Sequence, residues 1–326
     1  MNEVLVIAEY QNDSIHPVAF ELLGKGKELA KKLEGQLSAA LLSDGSANPE
    51  ELIYRGAETV YVEKQELFLK PDEVIHRKGL TKIIDEAKPE IVLIGATNFG
   101  RSLAPRLAMH YDTGLTADCT GLDIDDKGDF IQIRPAFSGN ILAHIKNKKS
   151  PQMSTVRYKE MEAPPPDKNK KGEIVEIDPP EDLTNSGIEI MGVAEEEKLD
   201  LTEAEVVVAG GRGLKDSEDF NLLKKLADLL EGSIGASRPL VDEGWISREH
   251  QVGYSGRRVK PRLYIACGIS GQSQHLAGMK NSDTVVAINI DPSAPIFEYS
   301  DYGIVGDLYE VIPEIMRQLE SDEDVS

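Results

Sequence analysis

Along the first third of the chain, two hydrophobic periods alternate. Residues 4–8 (Val-Leu-Val-Ile-Ala) form an unbroken apolar run, the mark of a strand buried on both faces. Over residues 17–34 the apolar positions spread to helical spacing. Leu22, Leu29 and Leu33 share a stripe with small Gly26, and Gly35 stops it. Further strands are expected at 37–42, 59–62 and 91–95. Helices are expected at 48–56, at 73–87 up to Lys88-Pro89, and from near Arg101 after Thr97-Asn98-Phe99-Gly100. This βαβ alternation predicts a parallel sheet covered by helices on both faces.

From Asp118 the rhythm changes. Residues 122–125, 130–136, 139–145 and 152–156 read as short strands divided by Gly or Asp turns, which predicts an antiparallel extension. Residues 160–172 are rich in proline and charge and read as a surface loop. Short strands are expected at 173–177 and 188–193. The acidic run Glu195-Glu196-Glu197 then leads into a second alternation, which sets a domain boundary near residue 198. Beyond it, strands at 206–209, 233–236, 263–266, 284–290 and 302–305 are interleaved with helices at 217–231, 271–278 and 307–319. The fold class expected is α/β. Two doubly wound, Rossmann-like parallel-sheet domains would cover 1–198 and 199–326, the first carrying the antiparallel extension.

Composition narrows the function. A formal net charge of −21 over 326 residues argues against a nucleic-acid partner, which needs a basic face. The two cysteines, Cys119 and Cys267, are too few for an iron–sulfur cluster held by four thiolates of this chain, and give no disulfide framework. Both read as small buried apolar side chains. No apolar run has the length of a membrane span, and no leader-like segment precedes the first strand. A cytoplasmic protein is expected. Neither a nucleophile–base pair nor a metal-ligand cluster stands out, so catalytic and metal-binding residues are not assigned.

The candidate chemistry lies in turns that follow the strands of the second half, where doubly wound sheets bind ligands. Gly210-Gly211-Arg212-Gly213 follows the first such strand. Its glycines would let backbone N–H groups approach phosphate, and Arg212 adds a cation, although an ordinary strand–helix turn reads the same way. Ser237 and Arg238 follow the second strand ahead of Pro239, with a surface ion pair as the plain alternative. In Gln251-Val252-Gly253-Tyr254-Ser255-Gly256 two glycines bracket a tyrosine and a hydroxyl. Gly268-Ile269-Ser270-Gly271-Gln272-Ser273-Gln274-His275 is a Gly/Ser turn opening a short helix, with His275 about one turn in. Asn289 ends a strand. Asp307 with Glu310 reads as a helix-capping pair, or as a carboxylate for a ribose or adenine.

Taken in order over residues 206–308, these segments resemble the FAD-binding domain of electron transfer flavoprotein α subunits. The resemblance rests on Gly-Gly-Arg-Gly, Gly-Ala-Ser-Arg, Gln-Val-Gly-x-Ser-Gly, Leu-Tyr-Ile-Ala-x-Gly-Ile-Ser-Gly-x-x-Gln-His-Leu-Ala-Gly-Met, Ala-Ile-Asn-x-Asp-Pro-x-Ala-Pro-Ile-Phe and Asp-Tyr-Gly-Ile-Val-x-Asp-Leu. Arg134-Pro135-Ala136 and the residues through 140 fit more loosely. Many family members carry Gln-Thr where this chain has Tyr254-Ser255, which keeps the hydroxyl and changes the bulk of the loop.

The resemblance implies one FAD and a role for each matching position. Arg212, Ser237 and Arg238 would contact FAD, and Val252, Gly253, Tyr254 and Ser255 would line the flavin. Ser270, Gly271, Gln272, Ser273, Gln274 and His275 would wrap the pyrophosphate and ring, while Asn289, Asp307 and Leu308 hold the adenosine end. The Ser255 hydroxyl would approach flavin N5, His275 the pyrimidine carbonyl, and Arg238 would place charge near the ring. A guanidinium about 4 Å from developing negative charge gains roughly 4 kcal/mol at an effective dielectric of about 20, an upper-end shift on the order of 170 mV.

The implied function is electron carriage, not substrate turnover by this chain alone. The implied partners are a β subunit in a heterodimer and an acyl-CoA dehydrogenase-type protein, as in fatty acid β-oxidation. Residues 114–120 resemble an anaerobic group that bifurcates electrons from NADH, so ordinary and bifurcating transfer both stay open. An NAD-dependent oxidoreductase with a Rossmann-like second domain is the alternative from another class.

Overall fold

The computed structural model describes residues 2–11, 13–136, 141–183, 186–187, 201–202 and 204–323. The chain divides into two compact units, Met1–Val193 and Ala194–Ser326. The expected strand at 188–193, the acidic run and the boundary near 198 lie outside the described residues, as do residues 137–140 of the looser N-terminal match.

The first unit runs β1 (Glu3–Ala8), a hairpin of β2 (Tyr10–Gln11) and β3 (Ser14–Ile15), α1 (Pro17–Lys32), β4 (Gln36–Ser43), α2 (Glu50–Tyr54), β5 (Thr59–Lys64), α3 (Glu73–Ala87), β6 (Ile91–Gly95) and α4 (Asn98–His110). It continues with β7 (Leu115–Cys119), β8 (Gly121–Ile124), β9 (Phe130–Ala136), β10 (Ile141–Ile145), β11 (Gln152–Val156) and β12 (Glu173–Glu176). Local signals set the helix ends. Pro17 occupies the first turn of α1, where its missing N–H costs nothing. The Asp72 carboxylate accepts the N–H groups of Val74 and Ile75 at the start of α3, and Lys88 closes that helix in the left-handed conformation.

Seven strands form one sheet in the order β12-β5-β4-β1-β6-β11-β7, with every pairing parallel. One face packs on α1 through Leu22, Leu29, Val4 and Leu93, and the other on α3 and α4 through Leu5, Ile83, Val92 and Leu107. Burial on both faces explains the unbroken apolar run of β1.

β8, β9 and β10 form the expected antiparallel extension. Residues 152–156 do not belong to it. As β11 they insert between β6 and β7 as an interior parallel strand. Polar Ser154 and Thr155 disguised this strand, yet both are buried and satisfied. Gln132 Nε2 donates to Ser154 Oγ at 2.9 Å, and the Asp118 N–H donates to Thr155 Oγ1 at 3.0 Å.

The second unit comprises β13 (Val206–Gly210), α5 (Phe220–Leu229), β14 (Ser233–Ala236), α6 (Arg238–Asp242), β15 (Leu263–Cys267), α7 (Ser273–Met279), β16 (Thr284–Asn289), β17 (Tyr302–Val305) and α8 (Leu308–Glu323). Its five strands are parallel in the order β14-β13-β15-β16-β17. α5 buries Phe220, Leu223, Leu226 and Ala227, the stripe its sequence offered. Both units are thus doubly wound α/β sheets. Among the described residues no helix is long and apolar enough to cross a membrane.

Candidate functional site

The connection from β14 to β15 passes over β13, so the winding of the second sheet reverses at β13 and β15. The crevice outside their carboxyl ends is where a doubly wound sheet takes a ligand. Because all five strands run the same way, the turns that follow them all leave from this one edge. Arg212 follows β13, and Ser237 and Arg238 follow β14. The 270–275 turn follows β15, Asn289 ends β16, and Asp307 and Leu308 follow β17.

Main-chain hydrogen bonds tie these loops together. Gly211 N–H donates to Cys267 O at 2.9 Å, and Gly213 N–H to Gly268 O at 3.0 Å. Ser237 N–H donates to Gly210 O, Val252 N–H to Ala236 O, and Tyr254 N–H to Gln274 O at 2.7 Å. Ile296 N–H reaches Ser270 O, and Gly306 N–H reaches Asn289 O. The 252–255 segment, distant in sequence, is thereby stitched to the start of α7.

The candidate residues differ in exposure, with Asn289 and Asp307 half-buried. Arg212, Arg238, Tyr254, Ser255, Ser270, Gln272, Ser273 and Gln274 are exposed, while Ser237, Val252, Gly253, Gly271, His275 and Leu308 are buried. Several have structural tasks as well. Val252 and Leu308 pack in the two cores of the unit. The Asn289 amide donates to Ile269 O and accepts from Asp291 N–H, both at 2.9 Å. Asp307 caps α8, its Oδ1 accepting the Tyr309 N–H at 3.0 Å. Arg238 is not a free cation, since its Nε donates to Asp242 Oδ2 at 3.1 Å.

Two local features stand out among these loops. The first is at His275, where Nε2 lies 2.9 Å from the Tyr264 hydroxyl and buried Nδ1 has no hydrogen-bond partner among the described residues. Burial pushes the imidazole down to about 4, partly offset by the main chain of Val252, so the ring is neutral at physiological pH. The second is Gly253, at φ +146°, where an added Cβ would lie 2.9 Å from Gln274 O. Only glycine permits that backbone and that approach. Above it, Gln251 Nε2 donates to Ser255 Oγ at 3.0 Å, which leaves the serine proton for another acceptor.

Sequence reasoning missed Tyr264, Gln251 and Asp242. A tyrosine inside a buried strand must find a partner for its hydroxyl, and that was the available signal for Tyr264. Asp242, four residues after Arg238 in a short helix, was legible only once that helix was seen.

The first unit has its own reversal point between β1 and β6. A small cleft lies there among Ile7, Leu42, Leu80, Phe99 and Leu103. Thr97 Oγ1 donates to Glu9 at the start of α4, so a carboxylate already faces that helix end. Both cysteines are buried and unpaired, and burial pushes Cys267 up to about 12 and Cys119 up to about 11. Among the described residues no cluster of His, Cys, Asp or Glu is placed to hold a metal.

Known proteins resemble this chain over nearly its whole length. Residues 4–182 match the electron transfer flavoprotein domain, and residues 200–280 match the electron transfer flavoprotein FAD-binding domain. The electron transfer flavoprotein subunit alpha of Thermoanaerobacterium thermosaccharolyticum is 47% identical over 323 residues, 97% of each chain. The lactate dehydrogenase (NAD(+),ferredoxin) subunit LctC of Acetobacterium woodii is 42% identical, covering 98% of this chain and 77% of its own. Protein FixB of Azotobacter vinelandii is 38% identical, covering 97% and 90%.

Proposed function

This chain belongs to the electron transfer flavoprotein family as an α subunit, and from that premise we propose that it works within a heterodimer, relaying electrons singly between a dehydrogenase and an acceptor. Electron transfer with FAD is the family function, and the second unit is its FAD-binding domain. The flavin supplies the redox chemistry when bound. What this chain contributes is the placement of charge and hydrogen bonds around it.

In this reading the carboxyl edge of β13–β17 is the FAD site. Arg212 and the 270–274 turn face the pyrophosphate. Val252, Gly253, Tyr254, Ser255 and His275 surround the ring, with Ser237 and Arg238 beside it. Asn289, Asp307 and Leu308 hold the adenosine end. The observation that carries this placement is the buried, unpartnered Nδ1 of His275 in a chain of hydrogen-bonded loops. An orphaned buried donor or acceptor is costly, and a ligand group opposite Nδ1 would relieve that cost.

The partner is a β subunit, and the donor is an acyl-CoA dehydrogenase-type protein in the ordinary mode. The likeness to LctC, a subunit of a lactate dehydrogenase (NAD(+),ferredoxin), favours a bifurcating mode as the second reading. A cytoplasmic location accords with the two free cysteines.

The test is co-expression of this chain with its β subunit, followed by the absorption spectrum and nucleotide count of the purified complex. Flavin bands with a single FAD and AMP support the ordinary carrier, and two FADs support bifurcation. A complex that stays colourless with excess FAD sinks the reading. A redox titration after Ser255→Ala and Arg238→Ala then checks the placement of the ring.

A further inference from the structure

Tyr264 lies in the middle of the second sheet, on β15, with no exposed surface. Among the described residues its hydroxyl has one partner, Nε2 of His275, at 2.9 Å. A neutral imidazole has one N–H and one bare nitrogen, so the pair can share a proton in two ways. If Nε2 held the proton, it would donate to the phenol oxygen and strand the phenol proton in the core. If the phenol donates, Nε2 is the acceptor and the ring proton must sit on Nδ1. The second arrangement leaves no donor wasted at Tyr264. Unused buried donors are rarer than under-used acceptors.

Nδ1 itself makes no hydrogen bond within the described residues. The 252–255 segment is fastened over this region by the Tyr254 N–H to Gln274 O bond, which limits rotation of the ring's surroundings.

We propose that Tyr264 is a positioning residue that locks His275 as the Nδ1–H tautomer, so that Nδ1 presents a fixed N–H donor to an acceptor atom of the bound flavin. This rests on the placement of the flavin ring beside His275 set out above. Tyr264 does not touch the cofactor. It acts by deciding which ring nitrogen donates, so the donor needs no rearrangement when negative charge develops on the acceptor opposite.

The experiment is long-range ¹H–¹⁵N spectroscopy of the intact αβ complex carrying ¹⁵N-histidine, with His275→Gln used to identify the His275 signals among the six histidines of the chain. The wild-type complex is expected to show the Nδ1–H pattern. In Tyr264→Phe, which removes only the hydroxyl, the signals should move to the Nε2–H pattern or to an average of the two. FAD affinity should weaken by about five- to tenfold, with the circular dichroism spectrum unchanged. An Nε2–H pattern in the wild type overturns the proposal, and so does a Tyr264→Phe complex that keeps the Nδ1–H pattern. If that variant does not fold, the wild-type spectrum decides alone. Removing FAD separates the two readings. If the His275 signals do not respond to its removal, the ring placement fails while the tautomer is still read.

Discussion

The guanidinium of Arg238 is held through Nε by the carboxylate of Asp242, 3.1 Å away and one turn along α6. Both side chains are largely exposed, so solvent screens the pair and it can open at little cost. The cation assigned to the flavin ring is therefore shared with a neighbouring anion. Its effect should fall well below the upper-end value for an unshared, close charge.

Arg238→Ala should lower the first reduction potential of the bound flavin, and Asp242→Asn should raise it. Each shift should be within about 1 kcal/mol, roughly 40 mV for one electron. Redox titration of both variants checks the sign. Equal shifts in the same direction would remove Arg238 from the ring.

Ser255→Ala should lower the same potential by a comparable amount, because Gln251 occupies one lone pair of Ser255 Oγ and leaves the hydroxyl proton free to donate. Gln251→Leu, which only loosens that orientation, should give a smaller shift of the same sign. A titration in which Gln251→Leu exceeds Ser255→Ala would mean that the glutamine acts by another route.

Gly253→Ala should cost about 1–3 kcal/mol through an unfavourable backbone and the approach of its methyl group to Gln274 O. The expected outcome is a complex that purifies with less than full flavin and melts earlier. Wild-type flavin content and melting temperature would show that the 252–255 segment adapts.

Glu63, on β5, is fully buried with neither carboxylate oxygen hydrogen-bonded among the described residues, and burial pushes it up to about 8, opposed in part by Lys82. In the unfolded chain it titrates near 4.3. Between these values the native state binds more protons than the unfolded one. Its contribution to stability is therefore intact below about pH 4.3, falls as pH rises, and levels off above about pH 8. Glu63→Gln should flatten this slope and raise the melting temperature of the complex most at pH 8 to 9. Thermal melts of both proteins between pH 5 and 9 test it, and parallel curves would place the proton elsewhere.

Much of the fold was legible because its strands are buried on both faces and its helices carry one clear stripe, as in β1 and α5. What was misread depended on partners far along the chain. β11 looked like part of an antiparallel meander because Ser154 and Thr155 resemble solvent-facing positions, and their burial is explained by bonds to Gln132 and the Asp118 main chain. β7 went unread as a strand because Thr116 and Asp118 break its apolar pattern. At the site, the exposed glycine-rich turns were visible as motifs. The supporting residues were not, since Tyr264 and Gln251 take their meaning from bonds to His275 and Ser255.

The five parallel strands of the second unit leave it with an idle rim. The turns before β14, β15, β16 and β17, at Gly232, Arg262, Asp283 and Asp301, sit at the amino ends of the strands and bear none of the cofactor loops. Asp283 is exposed there. A cysteine-linked dye at that position would sit at the end of the sheet opposite the loops proposed to hold the flavin.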